Sequence, residues 1–266
     1  MAAMAEDKRL RAPSALLMAL ELRAPLEYGA SLAALPLLWA TTGGDGHPVL
    51  VFPGLAASDM STLPLRTFLS ARGYDTYAWD QGRNLGPRPG VLEQCHRRVR
   101  ELRAQTGRKV SLIGWSLGGI YARETAKTAS SDVRCVITLG TPFAGHPRAT
   151  NAWRIYEMAS GESVDARRDY HQIAEPPPVP TTSIYSRTDG VVAWQCSIQK
   201  ETEKTENIEV EASHLGLGVN PMVLHAVADR LAQPEGQWQK FDRTGIRRLV
   251  YNNPDTSSVW SRLLSR

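Results

Sequence analysis

Gly114-Trp115-Ser116-Leu117-Gly118 decides how this chain is read. A short apolar run, Val110-Ser111-Leu112-Ile113, precedes it, and a stretch with helical character, Leu117-Gly118-Gly119-Ile120-Tyr121-Ala122-Arg123, follows. The pattern G-x-S-x-G gains meaning from that context of strand, tight turn and helix. Such a turn forces the serine into strained backbone geometry, and the flanking glycines let the strand and helix backbones approach each other. The hydroxyl of Ser116 is then presented at the C-terminal edge of a parallel sheet, above a helix N-terminus.

A serine hydroxyl is a poor nucleophile at neutral pH; it needs a base, and the base needs an orienting group. The pattern therefore demands an acid after a later strand and a histidine after a further one. Ser183 to Val192 reads as a strand ending in a turn with Asp189 at its tip, and Asn207 to His214 as a strand ending in His214. His214 is the expected general base and Asp189 the group that orients it. The other histidines fit less well. His96 and His225 fall within helical patterns, and His146 and His171 lie in an irregular segment where they could line a pocket. His47 precedes a strand at the opposite sheet edge and reads as structural. Asp165 and Asp169 sit in the same irregular segment; Asp80, at the end of an earlier strand, is the fallback acid. One oxyanion donor is expected from the backbone N–H of Leu117, the residue after the nucleophile, where the helix dipole helps.

With these residues in order, the chain resembles the α/β-hydrolases, and among them small bacterial lipases and esterases. The resemblance spans about Gly46 to Ala232. It rests on His47-Pro48-Val49-Leu50-Val51-Phe52-Pro53-Gly54-Leu55, the turn at Ser116, Leu139-Gly140-Thr141-Pro142-Phe143-Ala144-Gly145, the Asp189 turn and the His214 turn. A lone G-x-S-x-G occurs by chance in many chains; all five matches in order are specific. The resemblance implies an α/β fold with a mainly parallel sheet of about six strands and helices on both faces. It implies that Leu55 supplies the second oxyanion N–H. Many lipases carry His-Gly-x at this loop where this chain has Pro53-Gly54-Leu55, a departure that spares a role played by the backbone. It further implies that the insertion at about 145–180 forms a lid or cap, and that no cofactor or metal is needed. Trp115, Phe143 and Trp194 are candidates for the substrate pocket, although each could equally serve the core. The activity implied is hydrolysis of a carboxylic ester with an apolar acyl group, with thioester hydrolysis or acyl transfer on the same triad as the alternative. A non-catalytic binding protein on this scaffold usually lacks a triad member, and dehalogenases and epoxide hydrolases need a carboxylate at position 116.

The bulk properties agree with one enzyme domain. The 266 residues and 42% hydrophobic content suit a single soluble core. The net charge of +4 comes from arginines scattered on helix faces, such as Arg97, Arg98, Arg100 and Arg103, and no nucleic-acid module accompanies it. The three cysteines, Cys95, Cys135 and Cys196, show no metal spacing and fit a reducing, cytoplasmic setting.

Three regions are expected. Residues 1–45 form an N-terminal helical segment, 46–233 the hydrolase domain with its insertion, and 234–266 an extension packed on the domain through Val259, Trp260, Leu263 and Leu264. In the first, Leu16 to Leu20 is apolar but is followed by Glu21 and Arg23, and Ser31 to Ala40 is broken by Pro36. Neither run approaches the roughly 20 apolar residues that span a bilayer. They read as amphipathic helices that pack on the domain or touch a membrane surface. Within 46–233, helices are expected near Leu63–Arg72, Val91–Gln105 and Pro221–Leu231, and strands at Val49–Phe52, Tyr74–Trp79 and Val133–Leu139.

Overall fold

The computed structural model describes residues 10–161, 163–164 and 170–251. Its centre is a six-stranded sheet whose strands are all parallel: β1 Pro48–Phe52, β2 Asp75–Ala78, β3 Val110–Trp115, β4 Val133–Leu139, β5 Thr181–Tyr185 and β6 Thr205–Glu209. The spatial order is β2-β1-β3-β4-β5-β6. A parallel sheet must be covered on both faces, which is why β1 reads Pro-Val-Leu-Val-Phe and is buried throughout.

Side chains alternate across the sheet with period two. Val49 and Val51 point into a core shared with Leu65 and Leu69 of helix Asp59–Ala71 and with Val223 and Val227 of helix Pro221–Leu231. Leu50 and Phe52 point into the other, with Val99 and Leu102 of helix Val91–Thr106 and Ala122 of helix Leu117–Thr128. The long helix ends where Gly107 takes the left-handed conformation (φ 68°). Cys95, Cys135 and Cys196 are free and buried.

The chain steps from β1 outward to β2 and then returns to place β3 on the other side of β1. That reversal opens a crevice at the C-terminal ends of β1 and β3, the usual ligand position in such sheets. Ser116 follows β3 and Leu55 follows β1, so both lie at this crevice.

The helix expected near Leu63–Arg72 begins earlier, at Asp59, and accommodates Pro64 in its second turn. Ser58 occupies its N-cap without a side-chain cap bond, and the Asp59 carboxylate instead accepts from the Trp79 N–H at 3.1 Å. The β6 ladder is shorter than its sequence suggests: it stops at Glu209, and His214 lies in the turns beyond. The Val210 N–H still donates to the Tyr185 carbonyl at 2.9 Å, and Val210 and Ala212 continue the apolar alternation into the core past the end of the ladder.

The N-terminal segment forms helices Ala15–Ala19, Ala24–Ala33 and Leu35–Trp39, with a 3₁₀ turn at Leu20–Arg23. It buries Glu21, Ser31 and Leu38, while Leu22, Leu26 and Leu37 face outward. No helix among the described residues is long and apolar enough to cross a membrane. In the insertion, helices Trp153–Ser160 and Tyr170–Ala174 lie between β4 and β5. After residue 233, Phe241 and Tyr251 are buried against the domain. Val259, Trp260, Leu263 and Leu264 lie outside the described residues, as do Asp165, Asp169 and the side chain of His171.

One packing prediction follows. A Cβ added at Gly114 would stand 2.2 Å from Gly119 Cα, a backbone atom that cannot rotate away. Gly114→Ala is expected to destabilise the fold by about 3 kcal/mol, measured as a lowered urea midpoint at unchanged slope.

Candidate active site

The turn at Ser116 stores strain. Ser116 has φ 53° and ψ −124°, outside the regions a residue with a Cβ normally adopts. Three glycines make that turn possible by close backbone approach. Cβ atoms would lie 2.2 Å from Gly119 Cα at Gly114, 2.4 Å from the Phe52 carbonyl oxygen at Gly118, and 2.0 Å from Thr141 Oγ1 at Gly119. The Ser116 N–H donates to the Leu139 carbonyl at 2.8 Å, tying the turn to the end of β4. The helix beginning at Leu117 directs its N-terminus here, and by helix geometry the Leu117 N–H has no intrahelical acceptor.

The turns after β5 and β6 bring Asp189 and His214 together. His214 Nδ1 and Asp189 Oδ2 are 2.6 Å apart, and both side chains are buried. Asp189 Oδ1 is fixed in turn by the N–H groups of Val191 (2.8 Å) and Val192 (2.7 Å). Burial opposes a charge on His214. The Asp189 carboxylate and its hydrogen bond act the other way, helped by the charge of Glu21, and the imidazole is held above its ordinary value. With Nδ1 engaged, Nε2 is the nitrogen left for a reacting group.

Ser116 Oγ and His214 are not joined by a hydrogen bond among the described residues. Their turns are nevertheless linked: the Trp115 indole N–H donates to the His214 carbonyl at 3.1 Å. Gly140, at φ 54°, lies against the Asp–His pair; a Cβ there would stand 3.1 Å from both Asp189 Oδ2 and His214 Nδ1, and 2.5 Å from Leu217 Cδ1.

Ser116 opens into a narrow cleft with a cavity volume of about 70 Å³. Leu55, Leu117, Ile120 and Phe143 form its domain side, and Pro147, Trp153, Tyr156, Val164 and Ile173 of the insertion face them. The walls are mostly apolar, so the cleft suits an apolar group next to the hydroxyl. Phe143 is itself braced: the buried Arg123 guanidinium stacks on its ring at 3.9 Å and donates to the carbonyls of Ala174 and Glu175, where the insertion returns to the domain. Leu55 precedes Ala56, which has φ 59°. The N–H groups of Ala56 and Ala57 are taken by Asn84 and Gly54, while no acceptor among the described residues takes that of Leu55.

Two of the three proposed pocket residues lie elsewhere. Trp115 does not line the cleft; its ring packs over Gly218 on the far side of the sheet while its N–H holds the histidine turn. Trp194 is also absent from the lining. It stacks on the buried Tyr185 at 5.9 Å with the Arg187 guanidinium 4.1 Å from its ring. Strand alternation explains Trp115: it follows Gly114 and so points away from the face that Ser116 serves.

The rival residues are placed as follows. Asp80 is exposed and pairs with Arg98 at 3.0 Å. His225 Nδ1 meets the Tyr251 hydroxyl at 2.7 Å, and His146 Nδ1 accepts from the Arg148 N–H at 3.2 Å. His47 forms a second serine–histidine–aspartate array, with Nε2 2.8 Å from Ser111 Oγ and Nδ1 2.5 Å from Asp45 Oδ1. Burial outweighs the Asp45 bond and pushes His47 down to about 4. His47 and Ser111 are wholly buried, so the hydroxyl of this array is not presented to a substrate.

Sequence reasoning missed the residues that surround the Asp–His pair from the N-terminal segment. Glu21 accepts hydrogen bonds from Gly190, His214 and Leu215, and Glu27 accepts from Ser213. The only signal was the pair of acids interrupting an otherwise apolar stretch.

Among the described residues, no group of three or more His, Cys, Asp or Glu could hold a metal ion. A comparison of the sequence with curated proteins finds no match. Solved structures with the same fold are numerous. Aspergillus fumigatus lipase B superposes with a TM-score of 0.55 at 19% identity, over 72% of this chain and 54% of the lipase. The present chain thus spans about half the length of that enzyme. A Paleococcus ferrophilus monoacylglycerol lipase gives 0.52 at 17% identity, over 72% of this chain and 96% of the lipase. The thioesterase domain from the curacin biosynthetic pathway gives 0.50 at 15% identity, over 73% and 93%. At these identities the likeness is one of fold. The sequence itself matches the model of the alpha/beta hydrolase family over residues 44–262, and the chain belongs to that family.

Proposed function

We propose that this protein is a serine hydrolase that cleaves carboxylic esters with apolar acyl groups. The observation that carries the reading is the buried Asp189–His214 pair, 2.6 Å apart, at the C-terminal edge of the sheet where strained Ser116 opens into an apolar cleft. In this reading the ester carbonyl carbon sits over Ser116 Oγ with its acyl chain between Phe143 and the insertion. His214 Nε2 takes the Ser116 proton as Oγ attacks, and Asp189 stabilises the imidazolium. The N–H groups of Leu117 and Leu55 meet the developing oxyanion. His214 then returns the proton to the leaving alcohol. A water, deprotonated by the same imidazole, releases the acid from the acyl-enzyme. The same steps would serve a thioester or an acyl acceptor other than water.

The test is release of p-nitrophenol from acyl esters of increasing chain length, with an acyl-thioester series run beside it. Serine-dependent turnover that rises with acyl length is the expected result. Thioester turnover without ester turnover would move the assignment to a thioesterase, and a folded protein with neither activity would argue against the reading.

The pH profile has a predicted sign. The base must be neutral to accept a proton, so activity is lost as pH falls through the His214 pKa. Because that pKa is raised, the acid limb of kcat/KM is expected above the ordinary histidine value of 6.5. A rate that stays flat to acidic pH would count against a histidine base.

A further inference from the structure

Glu21 and Glu27 are acids in a stretch otherwise rich in Leu and Ala, and the fold takes both inward. Glu21 is only 4% exposed. Its Oε1 accepts from the Gly190 N–H at 2.7 Å and the His214 N–H at 2.9 Å, and its Oε2 from the Leu215 N–H at 2.8 Å. One carboxylate therefore joins the residue after Asp189 to the backbone of His214 itself, across turns that share no covalent neighbour. Glu27 and Arg23 extend the grip. Glu27 Oε1 accepts from the Ser213 N–H at 2.7 Å, and Arg23 donates to Thr188 Oγ1 at 2.7 Å. At Gly190 the contact is close enough that a Cβ would stand 2.3 Å from the Leu17 carbonyl oxygen.

A carboxylate that accepts three N–H bonds can hold backbone more firmly than a neutral side chain, since charge-assisted bonds are roughly twice as strong. The groups in question are also the ones whose spacing matters most. A shift of about 1 Å between a base and its orienting acid can cost about 100-fold in rate.

We infer that Glu21 is a positioning residue for the hydrolase reaction: its carboxylate clamps the acid turn to the histidine turn and so sets the Asp189–His214 geometry. The inference rests on the serine-hydrolase reading above. It also assigns the N-terminal segment a part in catalysis. The charged groups around His214 are Asp189 from its own turn pair and Glu21, with Glu27 and Arg23 behind, from the N-terminal helices. Replacing Glu21 by Gln keeps the shape, removes one negative charge, and turns one acceptor into a donor that faces an N–H.

The experiment compares wild type with Glu21→Gln in the full chain. It uses an alkyl fluorophosphonate, which reacts with an activated serine whatever the natural acyl group, together with a p-nitrophenyl ester. Glu21→Gln is expected to keep a full complement of titratable sites. Its labelling rate and kcat should fall about tenfold to 100-fold, with KM within about twofold. The acid limb should move to lower pH, because a charge that favours the imidazolium is gone. Unchanged rates and an unmoved limb would overturn the inference and leave the serine-hydrolase reading standing. A loss confined to the number of titratable sites, with the remainder at full rate, would also overturn it, because that is what a purely structural anchor gives. A wild type that never labels would remove the reading beneath it. Should Glu21→Gln not fold, Gly190→Ala displaces the same segment with Glu21 intact. The same fall in kcat is expected, and wild-type kcat in that variant would refute the clamp.

Discussion

Ser116→Ala is expected to lower ester turnover by about 10⁴- to 10⁶-fold while leaving the fold intact, because removal of a triad nucleophile leaves only binding and oxyanion stabilisation. The stability side of this result is as informative as the rate. Ser116 holds φ 53°, and alanine retains the Cβ that makes this angle costly. Ser116→Ala should therefore melt close to the wild type. Ser116→Gly should be equally inactive but more stable by about 1 kcal/mol, since glycine adopts positive φ without the steric penalty. Paired measurements of kcat and melting temperature on the two variants separate loss of a nucleophile from relief of strain. Near-full turnover in either variant would end the assignment of Ser116.

Asp189→Asn is expected to cost about 10⁴-fold in kcat, and the hydrogen bonds around the carboxylate say why. Oδ1 accepts from the N–H groups of Val191 and Val192. An asparagine must therefore place its oxygen there and direct its NH₂ toward His214 Nδ1. Nδ1 would then have to be an acceptor, which leaves the proton on Nε2, where it cannot take one from Ser116. The substitution thus locks the wrong tautomer while preserving shape. Asp80→Asn is the control: its carboxylate is exposed and pairs with Arg98, so activity should stay near wild type. A larger loss at position 80 than at 189 would mean the acid is misassigned. The kcat values of the two variants, with circular dichroism as a check on folding, decide it.

How much of this was legible in the chain differs by residue. Gly114, Ser116 and Gly118 announced the turn because a strained serine between close-packed backbones tolerates few other residues, and such constraints are written locally. Runs such as Val49–Phe52 announced buried parallel strands because both faces must be apolar. Asp189 and His214 were legible through their order after Ser116, since each lies in the turns that follow a recognisable strand.

Other features depended on pairings that no window of sequence contains. Trp115 resembled a pocket residue, and only its position on the far face of β3 showed that it holds the His214 carbonyl instead. His47, Ser111 and Asp45 form an array with the right chemistry, and only the complete burial of the His47 ring and the Ser111 hydroxyl shows that it serves no substrate. Glu21 lies 193 residues from His214, and its spacing, in a helical stretch, marks an amphipathic surface as readily as an inward clamp. The sequence by itself determined the strands, their parallel arrangement and which serine, aspartate and histidine are proposed to react, because period-two burial and glycine-bounded turns are local properties. The tertiary structure alone decided which apolar side chains face the serine and which carboxylates hold the histidine, because these follow from where distant segments meet.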